Sequence, residues 1–266
     1  MRKIYFSILL LFASVMAYAQ ADSTQVENAI AQAPVENVTK AKADSAYINN
    51  DFANAVYLYE NILANQGESA DIYYNLGNSY YKMDNIAKAI VNYEKALMLN
   101  PGNGDIRFNL ELAQSKTVDK VTPMSEVFFI TWIKTLINTM SEKGWAKTGI
   151  VTFILMLLML ALYFFSKKIA LKKVGFISAV CLLLVCIVAN VFASIQKNEA
   201  QSHGTAIIMA PSVTVKSTPN EGGTDLFILH EGRKVNIKDN TMREWKEIQL
   251  EDGNAGWVPA SVIEII

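Results

Sequence analysis

The fold is decided by TGIVTFILMLLMLALYFFS (148–166), KKIALKK (167–173) and VGFISAVCLLLVCIVANVFASIQ (174–196). The two outer stretches hold no charge and no proline and are rich in Leu, Ile, Val and Phe. As helices rising about 1.5 Å per residue they reach about 28 and 34 Å, against a hydrocarbon core of roughly 30 Å. Buried helices of globular proteins rarely run so long without charge, so the pair reads as transmembrane helices 148–166 and 174–196. The connector carries Lys167, Lys168, Lys172 and Lys173 and no acid, and such loops stay cytoplasmic. Everything before 148 and after 196 is then expected together on the periplasmic side of a bacterial inner membrane.

The amino terminus makes the same point independently. Arg2 and Lys3 precede the apolar run Ile4–Met16, and Ala17-Tyr18-Ala19 follows. This order predicts a secretory signal peptide over 1–19, cut after Ala19. No cysteine follows the cut, which excludes a lipoprotein anchor. Residues 20–35, mostly Ala, Gln, Asn and Ser near their start, read as a flexible leader with little to pack.

Several functions are excluded early. A formal net charge of −1 argues against nucleic acid, whose binding usually demands a clustered basic footprint. Cys181 and Cys186 both fall in the second apolar run, and five residues apart on a helix they point in different directions. The flanking segments hold no cysteine, and His203 and His230 have no ligand spacing around them, so no disulfide, metal or cofactor is expected. No nucleophile–base pair, paired carboxylates or phosphate loop is present, so no enzyme is expected.

Residues 36–120 repeat. Ala55 recurs as Ala89, Tyr59 as Tyr93, Leu63 as Leu97, and Asn75-Leu76 as Asn109-Leu110, each 34 residues on. Such a period predicts stacked helical hairpins, with about Asp105–Val118 as a capping helix. Small Gly77, Ala89 and Ala96 would let two helices approach while the tyrosines and leucine fill the seam. Within Ala70–Asn103, Tyr73, Leu76, Gly77 and Tyr80 stand where a first helix would carry them, and Ala89, Tyr93, Ala96 and Pro101 follow in the second. This unit resembles the tetratricopeptide repeat. The resemblance implies first helices lining a concave peptide groove, with Asp71, Tyr74, Asn78, Tyr81 and Lys82 in it. Asn75 and Asn109 would project from equivalent turns to bond a peptide backbone. Alternatively, Tyr74 and Tyr81 only cover the seam. A carboxylate clamp of the kind some members use is set aside, because Asp44 and Asp105 stand where an amide and a cation belong, although Lys40 and Asn75 match.

Pro123 ends the repeats. Over 124–144, Phe129, Ile133, Leu136, Ile137 and Met140 recur at helical spacing around Lys134, in too few residues to span a bilayer. An amphipathic helix lying in the membrane interface is expected, with Trp132 and Trp145 at headgroup level and Gly144 as hinge. An extra cap on the repeats is the alternative. From 203 to 266 the period becomes two, with breaks at Pro219–Gly223, Glu231-Gly232, Asp239-Asn240 and Asp252-Gly253. Seven short strands are expected to form an all-β small barrel. Leu229–Gly232, Trp245 and Asp252-Gly253 through Gly256–Val258 resemble the bacterial SH3-like domain. Trp245 and Trp257 would either pair across strands as core filler or form a stacking surface.

The whole order (signal, repeats, interfacial helix, hairpin, SH3-like domain) resembles the BatE family of bacterial membrane proteins, of the Bacteroides aerotolerance operon. That resemblance implies a non-enzymatic scaffold associated with Bat-type von Willebrand A-domain proteins and a MoxR-type ATPase system. Only the connector would meet the cytoplasm, so contact with a soluble ATPase would be indirect. The expected partners are membrane or periplasmic proteins and the lipid bilayer. The alternative function is a peptidoglycan-binding or envelope-sensing tether.

Overall fold

A computed structural model describes residues 38–120, 128–201 and 204–266. The expected signal peptide, the leader, the start of the interfacial helix and His203 lie outside the described residues.

Helix α1 (Lys40–Ile48) and α2 (Phe52–Gln66) form one hairpin, α3 (Ala70–Lys82) and α4 (Ile86–Leu99) a second, and α5 (Gly104–Ser115) stacks last. Short polar side chains start these helices by accepting orphan backbone N–H groups. Thr39 takes that of Lys42, Asp51 that of Asn54, Asn85 that of Lys88, and Asn103 those of Asp105 and Ile106. Each hairpin turns through one left-handed residue, Asn50 (φ 62°) and Asp84 (φ 60°), a conformation these two residue types tolerate best after glycine. A Cβ on Gly77 would stand 2.7 Å from the Tyr93 ring, so only glycine lets α3 lie this close to α4. Ala55, Ala89 and Ala96 are fully buried along these seams.

Two further helices are long and apolar enough to cross a membrane, α7 (Glu142–Phe165) and α8 (Ile169–Gln201). Helix α6 (Phe128–Ile137) precedes them. The α7–α8 seam is built from small residues. A Cβ at Gly175 would meet the Met159 carbonyl at 2.9 Å, and Ala179 and Ala189 are buried. Helix α8 starts at Ile169, so Lys172 and Lys173 are helical and the break between helices is shorter than the expected connector. The reversal between α6 and α7 lies at 138–141. Gly144 is not the hinge: its N–H is capped by Ser141 inside the first turn of α7. Gln196 of α8 fastens this reversal, its Nε2 donating to the carbonyls of Ile137 (2.9 Å) and Met140 (2.8 Å). Phe128, Phe129 and Trp132 stay exposed, so α6 is not packed on the repeats along its length.

The carboxy-terminal strands are β1 (Thr205–Ile208), β2 (Ser212–Lys216), β3 (Asp225–His230), β4 (Lys234–Asp239), β5 (Trp245–Gln249), β6 (Ala255–Pro259) and β7 (Ile263–Ile265). They form one antiparallel sheet in the order β3-β2-β6-β5-β4-β1-β7. One face closes over a shared core of Ala206, Ile208, Val215, Leu229, Val235, Ile248 and Val258. The expected closed barrel is not formed: among the described residues β3 and β7 remain edges. The physical reason is that short β7 lies beside the repeats instead, where Glu264 pairs with Lys95 of α4 at 2.8 Å. Covering an edge with a helix is a common substitute for pairing it.

Residues Thr39–Ile266 are one compact unit, and α4 is its shared wall. Glu94, with 7% of its side chain exposed, binds Lys234 of β4 at 2.7 Å. Asp119 receives the His230 backbone N–H at 2.7 Å and meets its Nδ1 at 2.9 Å. The tight turn at Gly232 (φ 80°) abuts Thr117 and Ile90.

Two outcomes follow for stability. Gly77→Ala should lower it by about 1–3 kcal/mol through overpacking against Tyr93, read as a lower denaturation midpoint by circular dichroism. Lys234→Met should leave a buried carboxylate unpaired and cost about 1–3 kcal/mol. Adding Glu94→Gln should restore most of that loss, and additive losses would show that the pair contributes nothing.

Candidate functional site

The first helices of the repeats face a concave groove of about 300 Å³, lined by Tyr47, Tyr74, Asn78, Tyr81, Lys82, Tyr93, Asn109 and Leu112. Its floor is a hydrogen-bond network. Asn78 Oδ1 accepts from the Tyr93 hydroxyl and from Asn109 Nδ2, both at 2.8 Å, and Asn109 Nδ2 also reaches the Tyr74 hydroxyl at 3.0 Å. The rings of Tyr74 and Tyr93 lie 6.1 Å apart and tilted. Lys116 holds its ammonium 4.3 Å above the Tyr81 ring, a cation–π contact that fixes one wall. Burial, followed by the neighbouring tyrosines, pushes the Tyr93 hydroxyl above its ordinary pKa, so it stays a protonated donor.

The same network occurs one repeat earlier with a charge in it. Asp44 Oδ1 accepts from the Tyr59 hydroxyl at 2.6 Å and from Asn75 Nδ2 at 3.3 Å, while Lys40 binds Oδ2 at 2.7 Å. Positions 44, 59 and 75 thus correspond to 78, 93 and 109. Each triad ties the two helices of one repeat to the first helix of the next. Burial works to raise the Asp44 pKa, but hydrogen bonds from Lys40, Tyr59 and Asn75 outweigh it and hold it below the ordinary value. On the opposite side of the stack, burial and then Glu60 raise the Tyr80 hydroxyl, which hydrogen-bonds that carboxylate. Burial and then Glu68 push Tyr73 up to about 12.

Of the residues assigned to the groove from sequence, the structure brings Tyr74, Asn78, Tyr81, Lys82 and Asn109 together. Two are placed elsewhere. Asp71 is exposed in the first turn of α3, outside the lining. Asn75 gives its amide to Asp44 rather than projecting from its turn, because Asp44 lies across the seam as an acceptor. Asn109 likewise bonds Tyr74 and Asn78, leaving only its Oδ1 for a ligand. Tyr74 both covers the seam and lines the groove, so the two alternatives for it coexist. Tyr47, Tyr93 and Leu112 were missed by sequence reasoning. The 34-residue period held the signal for two of them, since Tyr47 precedes Tyr81 and Leu112 follows Asn78 by that interval. Tyr93 carried no such sign, because only the folded seam shows its hydroxyl reaching the groove floor.

Trp245 and Trp257 are not core filler and do not pair directly. Trp245 stands opposite Pro259 and Trp257 opposite Glu247. The buried face of these strands belongs to Lys246, Ile248, Gly256 and Val258, so both indoles lie half-buried on the outer face.

Residues 70–103, which span α3 and α4, match the tetratricopeptide repeat. No match is found among curated proteins. Tetratricopeptide repeats are protein-interaction modules and typically carry no catalysis, and the groove is built accordingly: aromatic walls, two amides and one rim lysine.

The depressed pKa of Asp44 has a definite sign. A carboxylate whose folded pKa lies below its unfolded value of about 3.9 stabilises the fold above that value and loses the effect as pH falls through the folded pKa. Asp44→Asn should therefore flatten the fall in denaturation midpoint below about pH 4 relative to the parent chain, and an unchanged acid limb would refute the assignment.

Proposed function

We propose that this chain is a non-enzymatic scaffold of the bacterial inner membrane, whose repeat groove holds a segment of another membrane or periplasmic protein. The observation that carries this reading is the tyrosine-lined groove. Among the described residues, Asn78 Nδ2 and Asn109 Oδ1 have no partner, one donor and one acceptor positioned for a peptide backbone. Phe108 (64% exposed) and Leu112 (41%) extend the apolar wall along α5, and Lys82 offers an acidic ligand side chain a cation at the rim.

The bilayer part of the proposal is supported by the exposure of α7 and α8. Only 17% and 11% of their most apolar windows are buried, whereas a core helix of a globular protein would be covered. The lysines at 167, 168, 172 and 173 favour a cytoplasmic break between them, and on this reading repeats and sheet lie together in the periplasm. The exposed Phe128, Phe129 and Trp132 of α6 then suit the interface. On this reading the sheet is an SH3-like domain, residues 1–19 are a signal peptide, and the partner is a Bat-type von Willebrand A-domain protein of a BatE-like aerotolerance assembly.

A photocrosslinking amino acid at Tyr81, in full-length protein in native membranes, should capture one such protein, identified by mass spectrometry. Lys82→Glu should lower the yield about fivefold. Absence of any adduct from Tyr81 and from a second probe at Leu112 would reject the groove as the binding site. Protease added to intact spheroplasts should remove both a tag inserted after residue 20 and a tag at the carboxy terminus, and survival of either would refute this topology.

The outward indoles of Trp245 and Trp257 favour a second reading, a peptidoglycan-binding tether, since sugar rings stack on such faces. It requires the full-length protein to sediment with sacculi and Trp257→Ala to weaken that association.

A further inference from the structure

We propose that the face of α8 from Cys186 to Asn198 is a dimer interface that takes a second copy of this chain, paired through Asn190. The inference rests on α7 and α8 crossing the bilayer, as proposed above, and goes beyond it by naming what covers one side of α8.

Helix α8 meets α7 through Gly175, Ala179 and Ala189. Cys186 borders this seam, its thiol donating to the Gly149 carbonyl of α7 at 3.4 Å, and the side of α8 beyond it is uncovered. It forms a shallow groove of about 490 Å³ lined by Cys186, Ile187, Asn190, Val191, Ser194, Ile195 and Asn198, with no charge on it. Asn190 lies about 9 Å of helix inside the end of the apolar run, which on the bilayer reading puts it within the hydrocarbon. Its Nδ2 donates to the Cys186 carbonyl at 2.8 Å and approaches the Cys186 thiol at 3.6 Å, a weak acceptor. Its Oδ1 receives no donor from the described residues. The carboxamide is also held in place: a Cβ on Gly149 of α7 would come within 2.9 Å of its Nδ2.

In hydrocarbon no solvent completes such an amide, and a lipid tail offers it nothing. A carboxamide is self-complementary, with a donor and an acceptor on one planar group. Across a two-fold axis each Asn190 Nδ2 can exchange its thiol contact for the Oδ1 of the other copy, satisfying both amides at once. A second copy brings the matching group at the same depth by construction. Ser194, one turn further along, is small enough to let two backbones approach, as amide- and serine-bearing membrane helices do. Ile187 and Val191 supply the flanking apolar contact.

Native Cys181 provides an internal control, since it is exposed and lies half a turn around the helix from Asn190. The test is copper-phenanthroline oxidation of full-length chain in membranes. A Cys181→Ser, Cys186→Ser, Ser194→Cys chain should give a disulfide-linked dimer, while a Cys186→Ser chain, retaining only Cys181, should stay monomeric. Adding Asn190→Leu to the first chain should lower the dimer yield about fivefold. Leucine suits a membrane helix better than asparagine, so that loss would not reflect failed insertion. A membrane-inserted chain that gives no dimer, an equal yield with Asn190→Leu, or an adduct with a different protein would overturn the proposal. Recovery of the chain in the soluble fraction after alkaline extraction would instead refute the bilayer reading, and the dimer with it.

Discussion

No residue of α4 is exposed. An ordinary repeat helix keeps one face for solvent, but this one is covered on every side, and much of the molecule is arranged around that burial. Its small residues admit α3, its Tyr93 reaches through to the groove floor, and its outer side carries Glu94 and Lys95 against the sheet. Burying a carboxylate such as Glu94 is tolerable only with a partner in hydrogen-bond reach, and that partner lies on β4. Repeat and sheet are therefore joined by a condition, not merely by contact: each side leaves the other with an unsatisfied charge when it moves away.

The groove and the sheet thus occupy opposite sides of the same repeat. One side of the stack is closed by the chain's own strands. The other is left open, with aromatic walls fixed by Lys116 and by the Asn78–Asn109–Tyr93 network. Preorganised walls lower the entropy lost on binding, which suits a stack of two hairpins and one cap with little area to offer. The substitution of Asp44 in the first triad for Asn78 in the second gives the two seams different chemistry from one geometry. The charged version gains Lys40 as a counterion and becomes acid-sensitive, while the neutral version keeps an amide N–H for a ligand.

The apolar helices are fastened to one another and to the α6–α7 reversal through few but specific contacts. Gln196 binds two carbonyls at the α6–α7 reversal, and Trp145 donates to Ile137 while its ring meets Phe192 edge-on at 5.1 Å. Gln196, near the far end of α8, is thus fully engaged with the reversal through its Nε2, whereas the carboxamide of Asn190, deeper in the apolar run, lies at the rim of the α7–α8 seam against Gly149. The contrast between these two carboxamides on one helix is what makes the second stand out.

Local patterns in the chain were enough to determine the elements. The interval of 34 residues specified the helical hairpins, uninterrupted apolar runs specified two long helices, and alternation between turn residues specified seven strands. Those features depend on neighbours a few positions apart, which is why they are legible. Tertiary structure alone decided the rest. The pairing of Lys234 with Glu94 joins residues 140 positions apart, the edge of β7 is covered by a helix rather than by β3, and both tryptophans turn outward. Asn75 was drawn from the groove by an acceptor 31 residues away. For the polar pairings the outcome was set by which partner came within about 3 Å once the modules docked, and no spacing along the chain encodes that distance.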